Sequence, residues 1–577
     1  MGRHAAGPVT APRSRGRVRL AVIVGVVCLI AGGTAAAVTV TRGGHAAGSS
    51  ADCPNGTVEV VVRADPAAAG WLHTLANRYI AAHHHIDNKC VVPLVSTLGY
   101  AGAGQVVRDT PFPGGGTPPD VWVPDSLTAF DLLRAQNDSA AVLPKTAKPI
   151  ATSPLVLAAP AQTVTQWQED GAGRDLNTLL NVGSSDAAAI STPDPATTGT
   201  GLAAVIAATA TVTGKNTISS DTFRSSNAQL GLLRLRSRMS NTASDGQTLL
   251  NKVGSQASAD NMVAVAERDV WQYNKSHPSN RLESFNAFGA ARAVDFPYVV
   301  LQAPWVSDRI KRAAVDFQSW LGSSPIQNSL TEFGLRQADG TAGSLAGPGI
   351  DGAHGRLDPA ADAGSVASAH SAWTLLTTLR SVLSLIDVSA SMAATVPGTS
   401  QSKLELARDT ALGALPYFTP DDAVGLSEFS SSFRGGGDYR ELVPLGTASA
   451  NASQRATLKT AYQSLSPQSG TALYDSVLKA FDDAGNHYLP GAVNVIVLLS
   501  DGDDANSKIS LATLLSELQK RQDPSQPVHI ITIAYGADAD ASVLKQIAAA
   551  TGGASFAAPD PRSIGTVYIS ALAALAN

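Results

Sequence analysis

The chain has 577 residues, of which 44% are hydrophobic and 15% are charged, and its formal net charge at pH 7 is -5. A chain of this length is too long to fold around a single hydrophobic core, so we predict several domains. The hydrophobic fraction excludes a wholly disordered chain, and the mild negative charge gives no support for nucleic acid as a partner.

The N-terminal residues 1–19 form a basic tail with five arginines, and residues 20–41 after it carry no charged side chain. An uncharged apolar run of about 20 residues is long enough to span a bilayer. Arginines before such a run place the N-terminus in the cytoplasm. We therefore expect a transmembrane helix over 20–41 and a single-pass cell-membrane protein whose bulk is extracellular. The alternative is a cleaved signal peptide and a secreted protein, because small residues at 35–37 follow the apolar core.

Two cysteines, Cys53 and Cys90, would lie outside the membrane in an oxidising compartment, where cysteines tend to pair. Each precedes a predicted strand, at 58–62 and at 91–95. If these strands are parallel neighbours, a bridge would join their starting ends. We predict a disulfide between Cys53 and Cys90.

The region from residue 53 to 336 begins with strands and helices in alternation. Strands are predicted at 58–62, 91–95 and 121–123, and a helix at 71–82. This order is typical of a parallel sheet with helices on both faces. Two later apolar segments, 150–159 and 294–301, are predicted to cross between two lobes.

Four short motifs follow one another in this region, namely ATSPLVLA at 151–158, PDPATTGTG at 193–201, DFPYVVL at 295–301 and FGLR at 333–336. In this order they resemble bacterial extracellular solute-binding proteins. The resemblance implies a two-lobed periplasmic-binding-protein-like domain over 53–336 that captures a small solute in the cleft between its lobes.

Candidate solute contacts lie at the ends of predicted elements. Thr197, Thr198 and Thr200 precede a helix, and hydroxyl and backbone N–H groups at a helix start favour an anion. An anionic solute is therefore expected, although an ordinary helix cap is the alternative. Ser126 follows a strand end, and Tyr298 lies on a crossing segment, where the alternative is a place in the core.

Residues 337–372 lack apolar periodicity and are predicted to be a linker, and α/β alternation resumes over 373–577. The predicted strands are 381–386, 424–429, 493–499, 529–534 and 554–557. The predicted helices are 403–415, 472–484, 511–519, 541–550 and 561–575.

A run of oxygen-bearing side chains follows the apolar strand 381–386. Asp387, Ser389 and Ser391 stand at alternate positions after it, at the sheet edge where ligands bind in open α/β folds. Thr471 opens a predicted helix, and Asp501 follows the strand 493–499. Oxygen ligands without Cys or His suit a hard divalent cation.

These three elements, in this order, resemble the metal-ion-dependent adhesion site of a von Willebrand factor type A domain. The resemblance covers 373–577 and implies a doubly wound α/β domain. It assigns Asp387, Ser389, Ser391, Thr471 and Asp501 as metal residues and Mg²⁺ as the cofactor, with Mn²⁺ or Ca²⁺ as alternatives. It further implies that an acidic side chain of a protein or surface ligand completes the coordination.

The chain lacks the common sequence signatures of hydrolases, phosphate loops and zinc proteases, so we predict that it is not an enzyme. The leading hypothesis is a membrane-anchored extracytoplasmic binding protein that uses the metal site for adhesion. A second hypothesis is a solute receptor for a transport system, with the A-type domain as its docking module. A third is an undetected extracellular hydrolase in the N-terminal domain.

Overall fold

The computed structural model describes residues 53–99, 117–135, 142–169, 176, 189–215, 218–225, 228, 231–232, 235–236, 239–243, 245–255, 261–288, 293–343, 345, 347, 363–419, 421–431, 433–446, 452–501, 504–537, 539–564, 567 and 571. The predicted basic tail and the predicted transmembrane helix over 20–41 lie outside these residues. Within the described part of the chain, no helix has the length and apolar character needed to cross a membrane.

The first lobe of the N-terminal domain is built on a parallel core of three strands. Its elements are β1 (Thr57–Ala64), α1 (Pro66–Ala81), β2 (His85–Ile86), β3 (Lys89–Thr97), β4 (Val121–Val123) and α2 (Leu127–Ala135). Both β3 and β4 pair with β1 in parallel. Thr57 lies opposite Cys90 in that register, and Cys53 and Cys90 form a disulfide with their Cα atoms 5.7 Å apart. The predicted disulfide is confirmed.

Two long strands join the lobes, as predicted: β5 (Lys148–Pro160) and β10 (Ala293–Val300). The first half of β5 pairs with β10, and its second half pairs with strands of the second lobe. The second lobe contains α3 (Ala161–Glu169), β6 (Ala189–Pro193), α4 (Gly199–Thr213), α5 (Ser220–Arg224), β7 (Met239–Ala243), α6 (Gly246–Ser255), β8 (Asn261–Ala266), α7 (Glu267–Ser276) and β9 (Leu282–Phe285). The strand order is β2-β3-β1-β4-β10-β5-β8-β6-β7, with β9 on β5.

The chain then returns to the first lobe through α8 (Asp308–Leu321), α9 (Ser324–Ser329) and a 3-10 turn, and ends against the crossing strand. The backbones of Arg336 and Thr152 exchange two hydrogen bonds, of 2.9 and 3.1 Å. The Arg336 guanidinium lies 2.9 Å from Glu267 at the start of α7, and both side chains are fully buried. The FGLR motif therefore ties the end of the domain to the crossing strand and to the second lobe.

The predicted linker is wrong in its second half, because helix α10 (Ala363–Thr377) occupies it. Val366, Ala369 and Trp373 are all buried in the core of the N-terminal domain, where α10 packs on α2, α4 and α5. Their spacing is helical, but the two small side chains make the apolar stripe hard to see in a sequence rich in Ala and Ser.

The C-terminal domain is a six-stranded sheet in the order β13-β12-β11-β14-β15-β16, parallel except at the β13 edge. Its strands are β11 (Leu379–Asp387), β12 (Ala423–Phe429), β13 (Tyr439–Val443), β14 (Ala492–Ser500), β15 (Val528–Tyr535) and β16 (Ser555–Ala558). Its helices are α11 (Lys403–Ala414), α12 (Ala452–Ser464), α13 (Leu473–Asn486), α14 (Leu511–Arg521) and α15 (Ala541–Ala550). The sequence predictions missed β13 and α12, and the helix predicted at 561–575 falls mostly on residues outside the described part.

The central strand β11 explains why apolar residues before Asp387 face both sides of the sheet. Val382 and Ile386 belong to the core on one face of the sheet, and Leu383 and Leu385 to the core on the other. A strand covered by helices on both faces has no polar face to alternate with. Its first polar side chain after this run, Asp387, therefore marks the carboxyl edge of the sheet.

Candidate metal site and interlobe cleft

Asp387 is completely buried at the end of β11, between the ends of β12 and β14. One of its carboxylate oxygens accepts a hydrogen bond from the backbone N–H of Ser389 at 2.8 Å. The other accepts one from the hydroxyl of Ser500 at 2.5 Å. Ser500, the last residue of β14, thus holds the Asp387 carboxylate from the neighbouring strand. The sequence analysis did not single out Ser500.

The two serines of the motif lie side by side. Ser389 Oγ and Ser391 Oγ are 2.9 Å apart, and a 3-10 turn beginning at Ala390 holds them together. Ser389 is buried and Ser391 is exposed. The turn therefore places two hydroxyl oxygens next to each other at the edge of the sheet.

Thr471 reaches the same edge on a loop that is anchored from both sides. The backbone N–H of Gln468 donates to the carbonyl of Val388 at 2.6 Å, which joins this loop to the serine motif. The Thr471 carbonyl accepts from the N–H of Asn506 at 2.8 Å, which joins it to the segment after β14. Gly470 has φ +68°, and a Cβ there would lie 2.0 Å from Ser431 Oγ. The residue before Thr471 must therefore be glycine for the loop to pass.

Asp501 follows β14 and is buried, and its carboxylate oxygen Oδ1 has no hydrogen-bond partner among the described residues. Its other oxygen, Oδ2, lies 3.8 Å from Nζ of Lys403, whose side chain is only 9% exposed. Lys403 is the first residue of α11, behind the capping box formed by Ser402 and Glu405. The capping box predicts where this helix begins, but nothing in the sequence indicated that Lys403 would approach Asp501.

The surroundings of the site disfavour the charged form of Asp387 beside Asp501. Burial, and secondarily the neighbouring Asp501, raise the pKa of Asp387 to about 6, although hydrogen bonds from Ser389 and Ser500 act in the opposite direction. A buried carboxylate gains most from a nearby cation under such conditions. The site is thus short of positive charge.

The donor set fits a hard divalent cation. All five predicted residues offer oxygen atoms, and the buried Oδ1 of Asp501 has a free acceptor position. The described residues contain no group of three His, Cys, Asp or Glu side chains arranged to hold a metal. Here only Asp387 and Asp501 are carboxylates, so Ser389, Ser391 and Thr471 would supply the remaining oxygens.

A cavity of about 190 Å³ lies between the two lobes of the N-terminal domain. Four carboxylates line it, from Asp65, Asp125, Asp245 and Asp269. Of the described residues that line it, Arg268 alone is positively charged, and it lies 3.1 Å from Asp269. Burial, followed by the charge of Asp125, raises the pKa of Asp65 to about 8. None of these charged residues was among the predicted solute contacts.

The candidate solute contacts have different surroundings. Thr198 and Thr200 line the cavity, whereas Thr197 is exposed and its hydroxyl donates to Asp194 at 3.2 Å. Thr198 caps α4 by accepting from the N–H of Gly201 at 3.1 Å. Thr198 is therefore a helix cap, which was the alternative interpretation of this residue.

Neither Ser126 nor Tyr298 is among the residues that line the cavity. Ser126 is completely buried and accepts a hydrogen bond from the N–H of Ala129 in the first turn of α2. Tyr298 is 2% exposed and packs edge-on against Phe317, and its hydroxyl has no hydrogen-bond partner within the described part of the chain. Tyr298 therefore lies in the hydrophobic core, which was the alternative to a solute contact.

Asp125, which was not a predicted site residue, lies in the first lobe and forms hydrogen bonds with the second lobe. It follows β4 in the first lobe, and its Oδ2 accepts from the backbone N–H of Thr200 at 2.7 Å and from the Thr200 hydroxyl at 2.8 Å. Thr200 lies in the first turn of α4, in the second lobe. A carboxylate of the chain itself thus lies at the helix start that the sequence analysis assigned to an anion.

Two family models match the chain, in the order that the sequence predicted. The bacterial extracellular solute-binding protein family matches residues 60–336, and the von Willebrand factor type A domain matches residues 382–568. An uncharacterised protein of Mycobacterium tuberculosis, recorded from strains CDC 1551 / Oshkosh and H37Rv, is 24% identical over 543 residues. That similarity covers 90% of this chain and 78% of the relative.

Solved structures are similar to each domain separately. A von Willebrand factor type A protein from Catenulispora acidiphila has a TM-score of 0.28 and 23% identity, over 34% of this chain and 42% of that one. The sulfate-binding protein SubI from M. tuberculosis H37Rv has a TM-score of 0.36 and 17% identity, over 51% of this chain and 92% of its own. The periplasmic binding protein AfuA from Actinobacillus pleuropneumoniae has a TM-score of 0.38 and 13% identity, over 55% of this chain and 95% of its own.

Proposed function

We infer that this chain, which joins a bacterial extracellular solute-binding domain to a von Willebrand factor type A domain, is an extracytoplasmic binding protein that grips a protein or surface ligand through a divalent cation. The observation that carries the proposal is the buried Asp501, at the edge where Ser389 and Ser391 also lie, because no residue that the structure describes forms a hydrogen bond with its Oδ1. A buried carboxylate oxygen without a donor is costly, and a cation removes that cost.

The roles of the residues follow from their chemistry. Ser389, Ser391 and Thr471 would ligate as neutral hydroxyls, and Asp387 and Asp501 would act through water, which Mg²⁺ retains readily. When bound, Mg²⁺ supplies an electrophilic centre that accepts a further oxygen ligand, and Mn²⁺ or Ca²⁺ are the alternative cations for this oxygen donor set. A site with few directly bound carboxylates favours an acidic side chain from the partner as that ligand.

A binding role is proposed rather than a catalytic one. The described residues around Asp387 supply hydroxyls, the carboxylate of Asp501 and the ammonium of Lys403, and we assign the Asp501 carboxylate to holding a cation rather than to activating a water. In the proposed arrangement, the segment 20–41 anchors the chain in the cell membrane with its N-terminus in the cytoplasm. Both domains then face outward, where divalent cations and foreign surfaces are available.

A second candidate function is that of a solute receptor for a transport system, with the C-terminal domain as the docking module. The interlobe cavity of about 190 Å³ supports it, because ligand sites occur preferentially where two domains or lobes meet. In that case the cleft, rather than the metal site, would carry the biological specificity.

Capture of surface partners by the full chain, with Mg²⁺ and with EDTA, tests the adhesion proposal. The expected result is capture that EDTA abolishes and that the Thr471→Ala variant lacks. A matched control is Thr460→Ala, an exposed threonine on α12 whose hydroxyl only bonds the carbonyl of its own helix. Capture that is equal with EDTA and unaffected by Thr471→Ala would reject the proposal.

A further inference from the structure

We propose that Asp125 is an internal ligand of the N-terminal domain: its carboxylate fills the anion position at the start of α4, holds the two lobes together and excludes free oxyanions from that position. This inference concerns the cleft and does not depend on the metal site.

The contacts at the start of α4 are those that a bound anion would make. The first N–H groups of a helix lack intrahelical partners and carry partial positive charge. Asp125 Oδ2 accepts from the N–H of Thr200 at 2.7 Å and from its hydroxyl at 2.8 Å, while Thr198 satisfies the N–H of Gly201. These donors are therefore already engaged by side chains of the chain itself.

The contact is buried, and the residues around it allow the close approach. Asp125 is 5% exposed and Thr200 is 7% exposed. A Cβ at Gly199 would lie 2.6 Å from Asp125 Oδ1 and 2.0 Å from Ser126 Oγ. Only glycine at this position lets the loop after β4 reach the helix start. The Ser126 hydroxyl then donates to Asp125 Oδ1 at 3.3 Å.

Because Asp125 and Thr200 belong to different lobes, the same hydrogen bonds link the lobes across the cleft. In a two-lobed binding domain a solute normally bridges the lobes and stabilises their closed arrangement. Here a side chain of the first lobe makes that bridge to the second lobe. A free oxyanion would have to displace Asp125 and would meet the other carboxylates of the cavity, Asp65, Asp245 and Asp269.

Chemical rescue of the full chain tests the proposal, with formate as a free carboxylate. Asp125→Gly should lower the thermal unfolding midpoint, and formate should restore most of the loss, relative to chloride at equal ionic strength. Asp65→Asn is the matched control, because it removes a carboxylate from the same cavity and leaves the start of α4 filled. Asp125→Asn should also give no formate response, since its amide still occupies the position.

The unaltered chain provides a second test that does not depend on folding of a variant. Titration with sulfate or with phosphate, followed by calorimetry, should give no saturable binding and no shift of the unfolding midpoint. Saturable binding of either anion to the unaltered chain would overturn the proposal. So would a folded Asp125→Gly variant that formate does not stabilise, or an equal formate response in Asp65→Asn.

Discussion

Nζ of Lys403 lies 3.8 Å from Oδ2 of Asp501 at the candidate metal site, and both side chains are almost completely buried. A tethered ammonium group so close to a metal residue offsets carboxylate charge in the metal-free protein. It also repels a divalent cation. The two effects have opposite consequences for stability and for metal affinity.

Replacing Lys403 with methionine keeps much of the apolar stem and removes the charge. The variant should therefore bind Mg²⁺ roughly tenfold more tightly. The reason is that a like charge a few ångströms from the cation costs on the order of 1–2 kcal/mol when it is partly screened. In EDTA the same variant should unfold at a lower temperature than the unaltered chain. Isothermal titration and thermal unfolding measure the two effects.

Lys479→Met is the matched control, since Lys479 is 56% exposed and forms an ion pair with Asp483 of its own helix. It should leave the Mg²⁺ dissociation constant unchanged. An unchanged dissociation constant in Lys403→Met, when the unaltered chain does bind Mg²⁺, would show that Lys403 has no influence on the site.

The buried Asp387 predicts a pH dependence of stability in the absence of metal. Its pKa rises from 3.8 to about 6 on folding, chiefly through burial. Between these values the folded chain binds more protons than the unfolded chain, so the free energy of unfolding falls as the pH rises through this window. The full effect is on the order of 3 kcal/mol, at about 1.4 kcal/mol per pKa unit.

Asp387→Asn lacks this titration, and the difference between the two proteins isolates it from other groups. In EDTA, the free energy of unfolding of the unaltered chain should decline from pH 4 to pH 7 more steeply than that of Asp387→Asn. Denaturant unfolding at several pH values measures both slopes. Parallel slopes would mean that Asp387 ionises in the folded chain as readily as in the unfolded one.

The two domains are joined by a buried ion pair. Asp422 of the C-terminal domain accepts hydrogen bonds from both terminal nitrogens of Arg236, each at 3.2 Å, and from the backbone N–H of Arg380 at 3.0 Å. The Asp422 side chain is fully buried, and that of Arg236 is 5% exposed. The pKa of Arg380 falls to about 10 through burial and through the charge of Arg236, so the carboxylate compensates two cations.

Asp422→Asn should consequently destabilise the chain by about 3–5 kcal/mol, the typical cost of leaving a buried charge without its partner. We expect it to separate the unfolding of the two domains into two transitions in calorimetry. Glu332→Gln, which removes an exposed partner of Arg78, should change stability by less than about 1 kcal/mol. A single, unshifted transition in Asp422→Asn would contradict this account of the interface.

Elements that depend on local sequence patterns could be predicted from the sequence. Contacts between side chains that are distant along the chain could not. The run of apolar residues before Asp387 indicated a strand buried on both faces, and the strand places the motif at the edge of the sheet. Asp125 and Thr200, in contrast, are 75 residues apart and meet only because the lobes close on each other. Lys403 approaches Asp501 through the packing of α11, for which its sequence carries no signal.

The most direct test of the central claim is calorimetric titration of the metal-free full chain with Mg²⁺, alongside Thr471→Ala. We expect one saturable site in the unaltered chain and at least roughly tenfold weaker binding in the variant, since a lost ligand is worth on the order of 1.4 kcal/mol or more. No saturable heat with Mg²⁺, Mn²⁺ or Ca²⁺, or equal binding by Thr471→Ala, would contradict it.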